Sequence, residues 1–219
     1  SNKKIVTVDN KGVVKAVKSG KAVVAVKSAA NPRVMYKFNV YVGVPTKAVK
    51  LSAKAVNMFK GTSRTLKASI APKNATYKGI QWSSSDKRIA TVSSKGVVKA
   101  VKVGTVYITA KAMDGSGKYA RCKITVKQPV TSIKLSAATL TITEGSSKTL
   151  TATVAPASAT RKTLSWTSSN KKIATVSAKG VVKAIAPGTA TITAKAADGS
   201  GKKATCKVTV KKKVTVENK

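Results

Sequence analysis

The chain has 219 residues and carries 43 Lys and Arg against 6 Asp and Glu, a formal charge of +37, with no histidine and 4% aromatic residues. Such a composition excludes most catalytic and metal chemistry, which needs titratable groups held close together or several carboxylates around one ion, and no apolar run approaches the ~20 residues of a membrane-spanning helix. What remains is rich in Val, Thr, Ala, Ser and Lys with turn residues at short intervals, the composition of an all-β protein built from many short strands.

The phrase KGVVKAV at residues 11–17 recurs at residues 95–101 and, as KGVVKAI, at residues 179–185. One interval of 84 separates Gly12, Gly96 and Gly180; it also separates Gly20, Gly104 and Gly188, and the pairs Trp82 and Trp166, Asp114 and Asp198, and Cys122 and Cys206. The repeat sets the expected boundaries. Residues 1–44 are the C-terminal half of a unit, residues 45–128 and 129–212 are complete units, and residues 213–219 are the start of a further unit or a tail. The chain therefore reads as a window cut from a longer array. Pro45 and Pro129 occupy matching places between units, where proline restricts a hinge and favours a semi-rigid rod. Lys213 replaces the proline at the third junction.

Along the unit 45–128 the strands follow from period-2 alternation. RTLKASIAP alternates Leu66, Ala68 and Ile70, and KGIQWSS places Ile80 and Trp82 on a common face. KRIATVS and KGVVKAVK form two short strands joined at Ser94-Lys95-Gly96, where the glycine supplies a positive φ. The second lysine of the phrase (Lys15, Lys99, Lys183) faces water, and its last apolar residue (Val17, Val101, Ile185) turns inward. GTVYITAKA sends Val106, Ile108 and Ala110 one way and Tyr107, Thr109 and Lys111 the other. The Asp-Gly of MDGSGK makes a hairpin. The returning strand YARCKITVK then points Ala120, Cys122, Ile124 and Val126 inward. Seven or eight such strands in one unit predict an antiparallel sandwich. Burying Trp82 or Trp166 would remove on the order of 200 Å² from water, worth about 5 kcal/mol before entropy. The half-unit lacks the strands that would cover its own inward valines, so a neighbouring chain or another copy is expected to cover residues 1–42.

The stretches WSSSDKRIATVSSKGVVKAVKVGTVYITAKAMDGSGKYARCKITV and WTSSNKKIATVSAKGVVKAIAPGTATITAKAADGSGKKATCKVTV resemble the bacterial Ig-like group 2 domain. The resemblance implies tandem immunoglobulin-like antiparallel β-sandwiches arranged as an elongated rod. It also implies export to the bacterial cell surface or cell wall, and a role as stalk, spacer or binding module in adhesion or display.

Chemistry is sparse. The acids Asp9, Asp86, Asp114, Glu144, Asp198 and Glu217 form no pair in sequence, so no enzyme activity and no cofactor are expected. Asp114 and Asp198 in DGSG offer one carboxylate each and read as hairpin turn residues rather than calcium ligands. Cys122 and Cys206 sit at matching inward positions of different units and are expected as buried free thiols. The basic residues are mostly Lys, which argues for a diffuse polyanion field rather than specific nucleic-acid readout. Candidate polyanion-binding residues are Lys11, Lys15, Lys95, Lys99, Lys179 and Lys183, which recur along the array. Anionic cell-wall polymers or acidic glycans are the expected partners. The leading function is a non-enzymatic stalk or spacer of an exported surface protein. The alternatives are an adhesion module with a host or cell-wall glycan ligand, and an accessory segment of a cell-wall hydrolase.

Overall fold

Alternating β-branched and lysine residues leave one face of each segment apolar and the other wet, and the chain meets that demand with strands alone. The computed structural model describes residues 2–214, and its regular elements are all β-strands. The chain divides into two compact units, one of residues 1–56, 63–101 and 105–125 and one of residues 57–62, 102–104 and 126–219.

In the first unit the chain opens with β1 (Val6–Val8), β2 (Val14–Ala16), β3 (Gly20–Lys27) and β4 (Met35–Val42), forming two antiparallel pairs, β1 with β2 and β3 with β4. The repeat that follows contains β5 (Ala48–Leu51), β6 (Ala55–Phe59), β7 (Ser63–Thr65), β8 (Ala68–Ala71), β9 (Ile80–Ser84), β10 (Ala90–Val92), β11 (Val97–Ala100), β12 (Gly104–Ala112) and β13 (Tyr119–Lys127). They make a four-stranded sheet in the order β6-β13-β12-β9, a three-stranded sheet β10-β11-β7 and the pair β5-β8.

The other repeat copies this strand for strand with β14 (Ser132–Leu135), β15 (Thr139–Thr143), β16 (Ser147–Thr149), β17 (Ala152–Ala155), β18 (Leu164–Ser168), β19 (Ala174–Val176), β20 (Val181–Ala184), β21 (Gly188–Ala196) and β22 (Lys203–Lys211). Its sheets run β15-β22-β21-β18, β16-β20-β19 and β14-β17. The core lies between the first two, with Leu140 and Ile142 of β15, Val182 and Ala184 of β20, Ile192 of β21 and Cys206 and Val208 of β22 packed together. Full burial of a residue such as Ile192 contributes about 2–3 kcal/mol. The sandwich is antiparallel except where β15 runs parallel to β22, with Leu140 opposite Val208 and Ile142 opposite Val210.

The expected inward sets hold for Val106, Ile108 and Ala110 and for Cys122, Ile124 and Val126, all buried. Two expectations change. Val17, Val101 and Ile185 are exposed, because Val98 and Ala100, like Val182 and Ala184, occupy the inward positions and alternation sends the next residue out. The strand has also ended there, and Val101 donates its N–H to the Ile89 carbonyl. The tryptophans are half-buried lids rather than core centres, so each contributes less than full burial would. Trp166 lies against the turn glycine Gly180 (φ +81°), where an added Cβ would come 3.0 Å from its ring and would also overlap the Leu150 carbonyl oxygen.

This geometry separates two substitutions in one repeat. Gly180→Ala combines a positive φ with steric overlap and is expected to cost about 3 kcal/mol. Gly145→Ala has the same φ (+80°) and open space around it, and is expected to cost about 1 kcal/mol. Urea unfolding of the two variants checks the difference.

Candidate functional site: linker clamps and lysine faces

Each Asp-Gly hairpin does more than turn the chain. The Asp114 carboxylate accepts the N–H of Ser116 through Oδ1 at 3.0 Å, closing the turn, and the N–H of Thr46 through Oδ2 at 2.6 Å. Asp198 repeats this, accepting from Ser200 at 2.8 Å and from Val130 at 2.7 Å. Proline at 45 and 129 has no N–H to offer, and the residues on both sides of it are held instead. Val44 donates to Thr76 Oγ1 at 2.7 Å and its carbonyl accepts from Thr76 N–H, while Gln128 and Thr160 make the same reciprocal pair. Beneath the second clamp Val130, Ala159 and Ala196 form a small buried cluster against Ile133, Val154 and Leu164. The residues flanking each linker proline are thereby fixed to the repeat that follows them.

The clamps shift the acids. Hydrogen bonds from Ser116 and then Thr46 hold the Asp114 carboxyl well below the usual carboxylate range. For Asp198 burial pushes the other way, but hydrogen bonds from Ser200 and Val130 outweigh it and leave the carboxyl below its ordinary value. The sequence reading assigned these aspartates to turns alone. Their reach to the linker lies in a separation of 68 residues that recurs in both repeats, a signal visible only when linker and hairpin are compared together.

Two further acids, Asp9 and Asp86, are also engaged. Asp9 Oδ1 accepts the N–H groups of Lys11 and Val13 and closes the first KGVV turn, where Ser93 and Ser177 hydroxyls serve in the other repeats. Asp86 pairs with Arg88 at 2.9 Å, and its hydrogen bond is the main reason the Arg88 pKa is raised. Among the described residues no three His, Cys, Asp or Glu side chains gather into a metal-holding group.

All six candidate lysines are exposed. Lys99 lies mid-strand between Thr91 and Ser63, and Lys183 between Thr175 and Ser147, on the outer faces of their three-stranded sheets. Lys15 faces Thr7 across the first pair of strands. Lys95 and Lys179 flank the turn four residues earlier, as Lys11 does. The structure thus brings the lysines together as pairs, one on the outer face of each β10–β11-type hairpin, and not around a cavity. An open cleft of about 350 Å³ lies beside Lys95, lined also by Lys67, Leu66, Ile80 and the exposed side of Trp82. A flat, lysine-bearing sheet face attracts anions without enclosing them.

Cys122 and Cys206 are free and fully buried, each Sγ 3.8 Å from the following residue's carbonyl oxygen. Burial pushes both thiols up, opposed at Cys122 by the charge of Arg64. Thiol reagents at neutral pH are expected to modify neither in the folded protein and both in denaturant, a result read by mass spectrometry.

The clamps also give a pH dependence. Because both aspartates are lowered in the folded state, their contribution is complete above the unfolded pKa of about 4 and is lost as pH falls toward the folded values. Thermal unfolding followed from pH 7 to pH 2 is expected to show a melting temperature falling below about pH 4, with a shallower fall in the Asp114→Ala/Asp198→Ala double variant. At pH 7 Asp198→Ala alone is expected to cost about 1 kcal/mol from its lost hydrogen bonds.

The bacterial Ig-like domain (group 2) family matches residues 45–124 and again residues 129–208. An uncharacterized protein of Clostridium acetobutylicum is 37% identical over 163 residues, covering 74% of this chain and 17% of that protein. An Ig-like virion protein of Serratia phage KSP90 is 41% identical over 172 residues, 76% of this chain and 66% of that protein. A kappa-carrageenase of Pseudoalteromonas carrageenovora is 54% identical over 83 residues, 38% of this chain and 21% of the enzyme. The chain thus spans less than two thirds of the length of each of these relatives, and, with two tandem matches that fill most of its length, it belongs to the bacterial Ig-like domain (group 2) family.

Proposed function

We propose that the chain is a non-enzymatic spacer of an exported bacterial surface protein, which supports adhesion or display and holds loosely to anionic polymers of the cell wall. The observation that carries this reading is the linker clamp. A part-buried carboxylate contact and a reciprocal threonine pair fix the residues on both sides of Pro45 and Pro129 to the sandwich that follows. A chain that needed free hinges would not bury its linkers; a spacer does. The second support is charge. Asp9, Asp114 and Asp198 are bound to backbone N–H groups and Asp86 to Arg88, and the 43 Lys and Arg far outnumber the 6 acids.

Two measurements test the two parts. Small-angle scattering of residues 45–212 is expected to give an elongated particle of one shape; a compact globule, or repeats that reorient freely, would remove the spacer. Binding to purified teichoic acid is expected at low salt and to collapse toward 0.15 M, where exposed charges are screened beyond about 8 Å. Reversal of Lys95, Lys99, Lys179 and Lys183 to Glu is expected to weaken the low-salt binding by roughly tenfold or more.

A second reading, an accessory segment of a polysaccharide-degrading enzyme, is favoured by the kappa-carrageenase relative and by the Trp82 cleft with Lys67 and Lys95 beside it. Binding to an acidic glycan that saturates, survives 0.15 M salt and is lost in Trp82→Ala would support that reading over the diffuse one.

A further inference from the structure

The sheets of the repeat 45–128 leave a seam between β8 and β9. Among the described residues β8 pairs with β5 alone and β9 with β12 alone, so no ladder closes the space between them. Two open clefts lie along it. One, of about 350 Å³, is the Trp82 cleft beside Lys95; the other, of about 380 Å³, is lined by Ala68, Ile70, Ile80, Lys73 and Lys78. Ala68 and Ile80 line both, so the clefts form one groove with an apolar floor that runs from Trp82 to Ile70. The tryptophan is braced from behind, since a Cβ added at Gly96 would come 2.8 Å from its ring, and its exposed side lines the groove.

Four exposed lysines border this floor, Lys67 and Lys95 at the tryptophan end and Lys73 and Lys78 at the other, and no acid is among the lining residues. The other repeat shows which of these residues the fold itself requires. One interval of 84 further on, Ala152, Val154, Leu164 and Trp166 keep the floor, and Lys162 and Lys179 keep two of the cations. Thr151, however, stands at the place of Lys67, and Ala157 at the place of Lys73. Alternation asks only for a polar residue at the first place. The turn that the Ala159 N–H closes on the Pro156 carbonyl takes alanine at the second. The sandwich therefore forms without Lys67 or Lys73, and these two residues double the cations around one groove and not around its copy.

We propose that the groove between β8 and β9 binds an extended acidic polysaccharide. One sugar ring lies with its C–H face on Trp82, and the sulfate or carboxylate groups of the chain meet Lys67 with Lys95 and Lys73 with Lys78. The matching groove of residues 129–212, with half the cations, is not a site at physiological salt. This assignment rests on the acidic-glycan reading of the Trp82 cleft and adds to it the extent of the site, the repeat that holds it and the cations that select the ligand. A sugar ring has an apolar face and a polar edge, the complement of an indole set in an apolar floor with charges at its rim. An anion held against that floor is partly withdrawn from water, so its pairing with lysine is screened less than on the flat lysine faces. A polymer without rings could use the cations but not the floor. A peptide strand fits less well, because β8 is four residues long and is followed by Pro72, whose missing N–H interrupts the edge.

The test titrates the whole chain by calorimetry at about 0.15 M salt with probes of matched length: a sulfated galactan, a polygalacturonate, a neutral galactan and polyglutamate. The expected result is one site per chain for an acidic glycan, weakened by roughly tenfold or more in Lys67→Thr/Lys73→Ala. That variant carries the residues of the other repeat, so the sandwich is expected to fold. The reverse exchange, Thr151→Lys/Ala157→Lys, is expected to raise the count to two sites per chain. Binding of either acidic glycan supports the assignment, and the tighter of the two names sulfate or carboxylate as the recognised group. Salt-resistant binding of neither overturns it together with the acidic-glycan reading. Binding that is lost in Trp82→Ala yet unmoved by Lys67→Thr/Lys73→Ala, or two sites in the natural chain, overturns the assignment and leaves that reading standing. Equal binding of the neutral galactan also overturns it, as does tighter binding of polyglutamate, which would give the groove to an acidic polypeptide.

Discussion

The ladder between the last two long strands of each repeat is the interaction on which the remaining structure depends. In the final repeat β21 and β22 pair from Gly188 opposite Val210 to Lys195 opposite Lys203. Their shared inner face supplies Ile192, Cys206 and Val208 to the core, and each outer edge templates one further strand, β18 on one side and β15 on the other. Their connecting turn carries the aspartate that captures the linker. The same ladder forms between β3 and β4, where the strands that would flank it are absent among the described residues. Hairpin pairing is local, with a small loop-closure cost, whereas the first-half strands must return over longer stretches of sequence. The hairpin is thus the local part of the repeat, and the first-half strands are its long-range part.

The scarcity of acids acquires a structural meaning from this arrangement. Asp9, Asp114 and Asp198 each receive two backbone N–H groups at a turn, work that a hydroxyl does in other repeats at the first of these positions. A carboxylate is kept at the hairpin because it must bridge two segments 68 residues apart with short, charge-assisted bonds. The lysines need no such reason. They fill the outward positions of strands such as β11 and β20, where alternation demands a polar residue and a long aliphatic stem can lie along the sheet.

The fold was legible in the sequence because its two signals, the 84-residue interval and period-2 alternation, are local or translational. Both survive without knowledge of any contact, and they placed Val106, Ile108, Cys122 and Ile124 in the core. What the sequence hid was long-range. Val101 and Ile185 look inward as part of an apolar phrase, and only the end of the strand at Ala100 and Ala184 turns them out. The tryptophans look like core residues, and only the glycine beneath them shows that they are lids. The clamp needed two segments read at once, since neither the Pro45 linker nor the DGSG turn is remarkable alone. The second lysine of the KGVV phrase faces out as alternation predicts, at Lys99 and Lys183 alike.

Tandem copies of one sandwich face a hazard of their own, because each exposes edges shaped for strands that its neighbours also contain. The complete repeats answer it with short edges and misplaced charge. β7 and β16 are three residues long, and Arg64 and Lys148 sit opposite the buried Val98 and Val182, on the core-facing side of an edge strand. A foreign strand laid against that edge would have to bury an unpaired cation, while in the native sheet the long side chain escapes to water. The uniform positive charge extends the same protection between molecules, since like-charged surfaces repel before edges can meet.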